Sequence, residues 1–205
     1  SSKIGKDKRI HIEFVSANPT GPLHVGHGRG AAVGSALSRI YQFCGYDVYR
    51  EYYVNDAGRQ MDILALSVYQ RYAEKYLSSI AYSENSYIGE YVSEIADAIY
   101  SSKKLHINES MAFNAEPTEG LGVEKSLDLA IEGLRSFLGF EKFSALREFS
   151  CDYILNNIKN TLQRFHVEFD GWFSEDGITK DGSVDSALEQ LERAGEIYKK
   201  EGATW

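Results

Sequence analysis

Two histidines three residues apart, His24 and His27, stand in a run rich in glycine and proline, Pro19-Thr20-Gly21-Pro22-Leu23-His24-Val25-Gly26-His27-Gly28-Arg29-Gly30. On a first helical turn, residues at i and i+3 share a face, so both imidazoles can offer hydrogen bonds to one ligand. Gly26, Gly28 and Gly30 have no Cβ, which lets a ligand approach the backbone closely. The two prolines before His24 stiffen the approach to the turn. A helix starting here adds unpaired N–H groups and the positive end of its dipole. Together these are the donors that phosphate oxygens require.

The flanking segments read as the elements that hold such a turn. Arg9 to Val15 alternates as a strand, with Ile10, Ile12 and Phe14 on one face and His11, Glu13 and Val15 on the other. Val33, Leu37, Ile40 and Cys44 recur at helical spacing and form the expected apolar stripe of a helix, with Gly45 placed to cap it. Val48 to Val54 alternates again as a second strand. Strand, turn, helix and strand make a βαβ unit. Its first turn lies at the carboxyl end of the sheet, where α/β folds take ligands.

Two other readings of the turn fit less well. Two histidines alone do not complete a metal site, and His106, His166, Cys44 and Cys151 are scattered without ligand spacing, so no protein metal site is expected. A dinucleotide fingerprint needs G-x-G-x-x-G, whereas Gly26 to Gly30 runs G-x-G-x-G, although Glu51 near the end of strand two stands where a ribose acid would. Glu13, on its residues alone, reads as an ordinary solvent-facing strand glutamate.

Leu23-His24-Val25-Gly26-His27 resembles the "HIGH" motif of class I aminoacyl-tRNA synthetases, with Val for Ile. The longer stretch Glu13 to Gly30, and Tyr53-Val54-Asn55-Asp56-Ala57-Gly58-Arg59-Gln60 at the end of strand two, resemble the arginyl-tRNA synthetases in particular. The resemblance is close over residues 9 to 61, weaker from Phe165 to Trp205 and thin between.

That resemblance implies ATP-dependent ligation of L-arginine to tRNA(Arg) through an arginyl-adenylate, with Mg²⁺ accompanying ATP. It implies catalytic roles for His24 and His27, and ATP contacts from Pro22, Leu23, His24, Gly26, His27 and Gly28. It places arginine against Glu13, Ser16 and Asn18, with Asn55, Asp56 and Gln60 lining the same pocket. The family's second motif, "KMSKS" or a variant, has no counterpart here. The chain therefore resembles the first half of the catalytic domain and is expected to be inactive alone. On the sequence, two alternatives stay open. A small-molecule adenylating enzyme such as pantothenate synthetase shares the H-x-G-H turn, but lacks the Tyr-Val-Asn-Asp-Ala-Gly stretch and a long helical insertion. A non-catalytic synthetase-like module is the other.

The expected fold is α/β: the first half of a Rossmann-like parallel sheet, carrying a large helical insertion. Residues 1–61 would begin the nucleotide-binding domain, 62–150 form the insertion and 151–205 return to the domain, truncated. Asp56 is expected to cap a helix bearing Met61, Leu64, Val68 and Tyr72. Ser83 or Asn85 would start one bearing Ile88, Val92, Ile95 and Ile99. Lys104 to Gly122 reads as a mobile loop. A third stripe from Val123 to Leu138 ends at Gly139, and a fourth runs from Phe143 to Leu162. Phe165 to Phe173 reads as extended. A short helix bearing Val184, Leu188 and Leu191 precedes a hairpin about Glu201-Gly202.

Among the 205 residues, 43% are apolar and 25% charged, ordinary for a soluble globular chain, and no apolar run approaches the ~20 residues that span a bilayer. The net charge of −8 is unevenly spread. Residues 1–60 hold eight Lys/Arg against five Asp/Glu, and residues 83–150 hold six against twelve. The acidic middle reads as a solvated helical surface turned away from any RNA. Ser1 to Arg9 has no apolar stretch of a signal peptide, and the two cysteines read as reduced core thiols. A cytoplasmic monomer without membrane contact is expected.

Overall fold

The computed structural model describes residues 4–77, 83, 85–103, 105, 107 and 122–205. Its elements are β1 (Arg9–Glu13), α1 (Val25–Phe43), β2 (Asp47–Val54), α2 (Arg59–Tyr76), α3 (Glu90–Ser102), α4 (Val123–Arg164), β3 (Gly171–Ser174), α5 (Glu175–Lys180), α6 (Ser183–Ala194), β4 (Lys199–Lys200) and β5 (Ala203–Thr204). β1, β2 and β3 form one parallel sheet with β2 in the middle, in register Glu13 to Glu51 and Tyr53 to Phe173. β4 and β5 pair as the expected hairpin. A parallel pair needs a crossover. α1 makes the first, and the run from α2 to α4 makes the second. Among the described residues of 62–150 there is no strand.

One sheet face carries the core. Tyr52 is fully buried, stacks on Trp172 at 4.3 Å and meets the edge of Phe169 at 5.4 Å. Leu64, Val68, Ile95, Leu134, Leu146, Ile154 and Ile158 continue that core into the helices. α4 breaks at Gly139, whose φ of 75° and ψ of 164° are outside helical values, as the glycine predicted. Cys151 is buried, which pushes its thiol up to about 12, and Cys44 is half-buried at the end of α1; both are free.

Several expectations need correction. The stripe of α1 does not face the core: Val33, Leu37 and Ile40 are 63%, 41% and 59% exposed. The buried face is Ala31, Gly34, Ser35 and Ser38. Small residues let this helix lie close on the strands, and a Cβ at Gly34 would overlap the Phe14 ring. The Ser38 hydroxyl donates back to the Gly34 carbonyl at 2.8 Å, so its burial is satisfied. Asp56 does not cap α2, which starts after Gly58 at φ 77°. α3 begins after Gly89 rather than at Ser83 or Asn85, leaving Ile88 71% exposed outside it. Phe165 to Phe173 is not one extended run. His166, at φ 56°, lets the Val167 N–H close α4 onto the Leu162 carbonyl, and the strand starts only at Gly171. Most of the loop expected from Lys104 to Gly122 lies outside the described residues.

Gly34→Ala should therefore destabilise the fold by about 1–3 kcal/mol through overpacking against Phe14. Gly30→Ala, whose Cβ meets nothing within 4 Å, should stabilise α1 by about 0.5–1 kcal/mol. Urea unfolding of both variants checks this; shifts of the same sign would contradict the close approach at Gly34.

Candidate active site

The turn after β1 is held in an uncommon backbone shape. Val15 and Ser16 sit at φ 67° and 40°, which non-glycine residues hold only when their surroundings impose it. The surroundings here are β2. The Tyr53 N–H donates to Ser16 Oγ at 3.1 Å, and the Tyr52 hydroxyl donates to the Ala17 carbonyl at 2.8 Å. So Ser16, expected as a ligand, is engaged through its side chain in fixing the turn. Beyond it Asn18 Nδ2 donates to Gln60 Oε1 at 2.7 Å. Two residues predicted to share a pocket, 42 positions apart, are in contact.

His24 and His27 build the start of α1 between them. His24 is the N-cap, and its Nδ1 accepts the Gly26 N–H at 3.1 Å. His27 Nδ1 accepts the His24 N–H at 3.2 Å, completing a reciprocal capping box. The rings stack with centroids 3.8 Å apart. An accepting Nδ1 carries no proton, so in each neutral ring the proton sits on Nε2. The capping bonds thus leave two Nε2–H donors side by side at a helix N-terminus. Burial, and then the neighbouring His24, hold the His27 pKa below its ordinary value.

The glycines divide by role. A Cβ at Gly26 would crowd the His24 ring at 2.9 Å, so this glycine serves the cap. A Cβ at Gly28 or Gly30 would meet nothing within 4 Å, so the protein's own packing asks for neither. Leu23, His24, Gly28 and Ala31 line a cavity of about 400 Å³ together with Leu162 and Phe165. Pro22 is exposed just before it.

An acidic cluster stands at the same end of the sheet. Glu13 is the last and exposed residue of β1, and Asp56 and Glu175 follow β2 and β3 at the same end. Burial and these carboxylates push the Tyr53 phenol above its ordinary pKa. Asn55 is half-buried between Val54 and Asp56. Sequence reasoning did not single out Glu175. The available signal was Ser174-Glu175-Asp176 directly after a strand, a helix-start pattern, and Ser174 is indeed the N-cap of α5.

The model of the catalytic domain of class I tRNA synthetases (R) matches residues 1–204. The chain belongs to that family. It is 44% identical over 215 aligned positions to an arginine–tRNA ligase of Coxiella burnetii and 45% identical over 207 to one of Legionella pneumophila, covering 100% and 98% of this chain. It spans about 35% of the length of each of these relatives. A solved structure from Campylobacter jejuni, assigned to the arginyl-tRNA synthetases, superposes over the whole chain with a TM-score of 0.73 at 30% identity and is matched over 38% of its own length. A Thermus thermophilus arginyl-tRNA synthetase shares the fold, with a TM-score of 0.59 at 22% identity, over 95% of this chain and 28% of its own. In this class I synthetase domain the mixed α/β architecture and parallel sheet are those of its structural neighbours.

Because the folded His27 pKa lies below its unfolded value, the unfolded chain binds the proton more readily. The stabilising effect is complete above about pH 6.5 and is lost as pH falls through the folded pKa. An NMR titration should show the His24 amide moving together with the His27 ring, with a midpoint below 6.5. A midpoint at or above 6.5 would overturn the desolvated capping role.

Proposed function

We propose that this chain is the part of an arginine–tRNA ligase that activates L-arginine with ATP. The arginine carboxylate attacks the α-phosphate and pyrophosphate leaves with its bond electrons; the 3′-terminal hydroxyl of tRNA(Arg) then attacks the carbonyl of arginyl-adenylate, taking the arginyl group and releasing AMP. The observation that carries this reading is the pair of imidazoles whose Nδ1 atoms close the α1 capping box, which directs both Nε2 positions to donate. Charge builds on the phosphate oxygens in the transition state, and donors oriented beforehand stabilise it without reorganising. Pro22, Leu23, Gly26 and Gly28 would lie along the nucleotide, with Gly28 leaving the backbone open to it.

Mg²⁺ would arrive on the ATP phosphates and keep several of its waters. Among the described residues no three His, Cys, Asp or Glu side chains gather as a metal-holding cluster. Arginine would be read by charge. Its guanidinium is planar, always protonated and suited to carboxylates, and Glu13 and Glu175 supply these beside Tyr53. Ser16, Asn18, Asn55, Asp56 and Gln60 complete the proposed pocket, the Asn18–Gln60 pair facing it as one unit. Residues 62–150 would be a helical insertion into the nucleotide-binding domain. Among the described residues no helix is long and apolar enough to cross a membrane. The two free cysteines suit a reducing cytoplasm, where the enzyme would act as a monomer.

ATP–pyrophosphate exchange with arginine, in a polypeptide carrying this chain at its relatives' full length, tests the reading. His24→Ala or His27→Ala should lower the activation rate by ~10² or more and leave arginine affinity nearly unchanged. Lost arginine affinity with an intact rate would reverse the assignment. Glu13→Gln should weaken arginine binding by ~1.5–3 kcal/mol, the worth of a hydrogen bond to a charged group, and spare ATP. Equal arginine affinities by calorimetry would remove Glu13 from the site.

A further inference from the structure

We infer that Asp56 is a positioning residue: it locks the junction of β3 and α5 and so fixes where the Glu175 carboxylate stands beside Tyr53. The inference deepens the arginine-site reading above and depends on it only for the identity of the ligand.

Both oxygens of Asp56 are already engaged. Oδ2 accepts the Ser174 hydroxyl at 2.7 Å and Oδ1 accepts the Asp176 N–H at 2.8 Å. Ser174 Oγ accepts in turn from the Gly177 N–H at 3.0 Å, so Asp56 and Ser174 together tie two of the first amides of α5. Glu175 stands between these two anchored residues. Its place follows from the ladder. Val54 pairs with Ser174 and Tyr53 with Phe173, the last rungs between β2 and β3. Beyond them the chains part, and the Asp56 carboxylate continues the connection that the backbone ladder no longer makes. Tyr53 and Phe173 stack 5.9 Å apart on the sheet face opposite Tyr52, and Glu175 follows them in strand alternation.

Asp56 is itself held from behind. Arg147 Nη2 of α4 donates to the Asp56 carbonyl at 2.9 Å, and Arg147 Nε lies 3.6 Å from Asp62. Arg59 binds Asp128 at 2.6 Å and Glu124 at 2.7 Å, tying α2 to α4 just after the same loop. The order is therefore α4, Asp56, α5 and then Glu175. Removing Asp56 should leave Glu175 present but misplaced.

The test has two arms. In this 205-residue chain carrying tyrosine labelled with ¹³C at Cζ, the Tyr53 signal is assigned by Tyr53→Phe. Ser174→Ala removes one of the two bonds and keeps every carboxylate; it should displace the signal in the same direction as Glu175→Gln, while the signal of buried Tyr52 stays in place. Asp56→Asn, which also removes a charge acting on Tyr53, should displace it further. A Tyr53 signal unmoved by Ser174→Ala overturns the inference. In the second arm, arginine affinity is measured by calorimetry at the relatives' full length. Asp56→Asn and Glu175→Gln should each weaken it about tenfold, and the double variant no further than the larger single effect. Additive losses would make Asp56 a direct ligand and overturn the positioning role. If Glu175→Gln leaves arginine affinity intact, the arginine reading falls and the Tyr53 signal alone judges Asp56.

Discussion

The grip of Arg50 on Asp170 is the contact from which the rest of the site hangs. Arg50 Nε and Nη2 each reach a different oxygen of Asp170 at 2.8 Å, and the Arg50 N–H takes the same carboxylate at 2.8 Å. The Asp170 N–H returns to the Arg50 carbonyl at 2.9 Å. A two-pronged pair with backbone support is the strong form of an ion pair. It holds the Asp170 carboxyl below its usual range and the Arg50 guanidinium above. β3 has only four residues and returns from a crossover that begins at α2. Such a short strand cannot select its register by its own ladder. Arg50 sets it at the entry, and the Asp56 bonds meet it at the exit. The acidic cluster about Tyr53 exists only because both ends agree.

What the sequence disclosed follows from how far each cause reaches. β1, β2 and the turn between them rest on alternation and on a compact motif, both local, and they stand where expected, except that β1 ends at Glu13 and not at Val15, which turns to φ 67°. The break at Gly139 and the hairpin at Glu201-Gly202 are equally local. The buried face of α1 was not legible, because Val33, Leu37 and Ile40 announce a stripe without saying which neighbour it meets. A helix resting on Gly34 and Ser38 inverts the usual reading, since close approach selects small residues for the inside. Asp56 misled for a different reason. A residue of its type three positions before a helix reads as that helix's cap, but its partners Ser174 and Asp176 are 118 and 120 positions away. Histidine is not among the preferred N-cap residues, so the capping box of His24 and His27 is visible only in the folded chain.

The capping box has an experimental meaning of its own. The same two imidazoles close the first turn of α1 and, in the proposed function, supply its donors, so folding and chemistry there would draw on shared atoms. Truncating either ring removes a donor and frays the platform that orients the other. A rate lost on truncation is then not the worth of one hydrogen bond. Free imidazole added to such a variant can re-enter as a donor, yet it is untethered and restores no helix end. Incomplete chemical rescue, with recovered rate but looser nucleotide binding, is the trace that this sharing would leave.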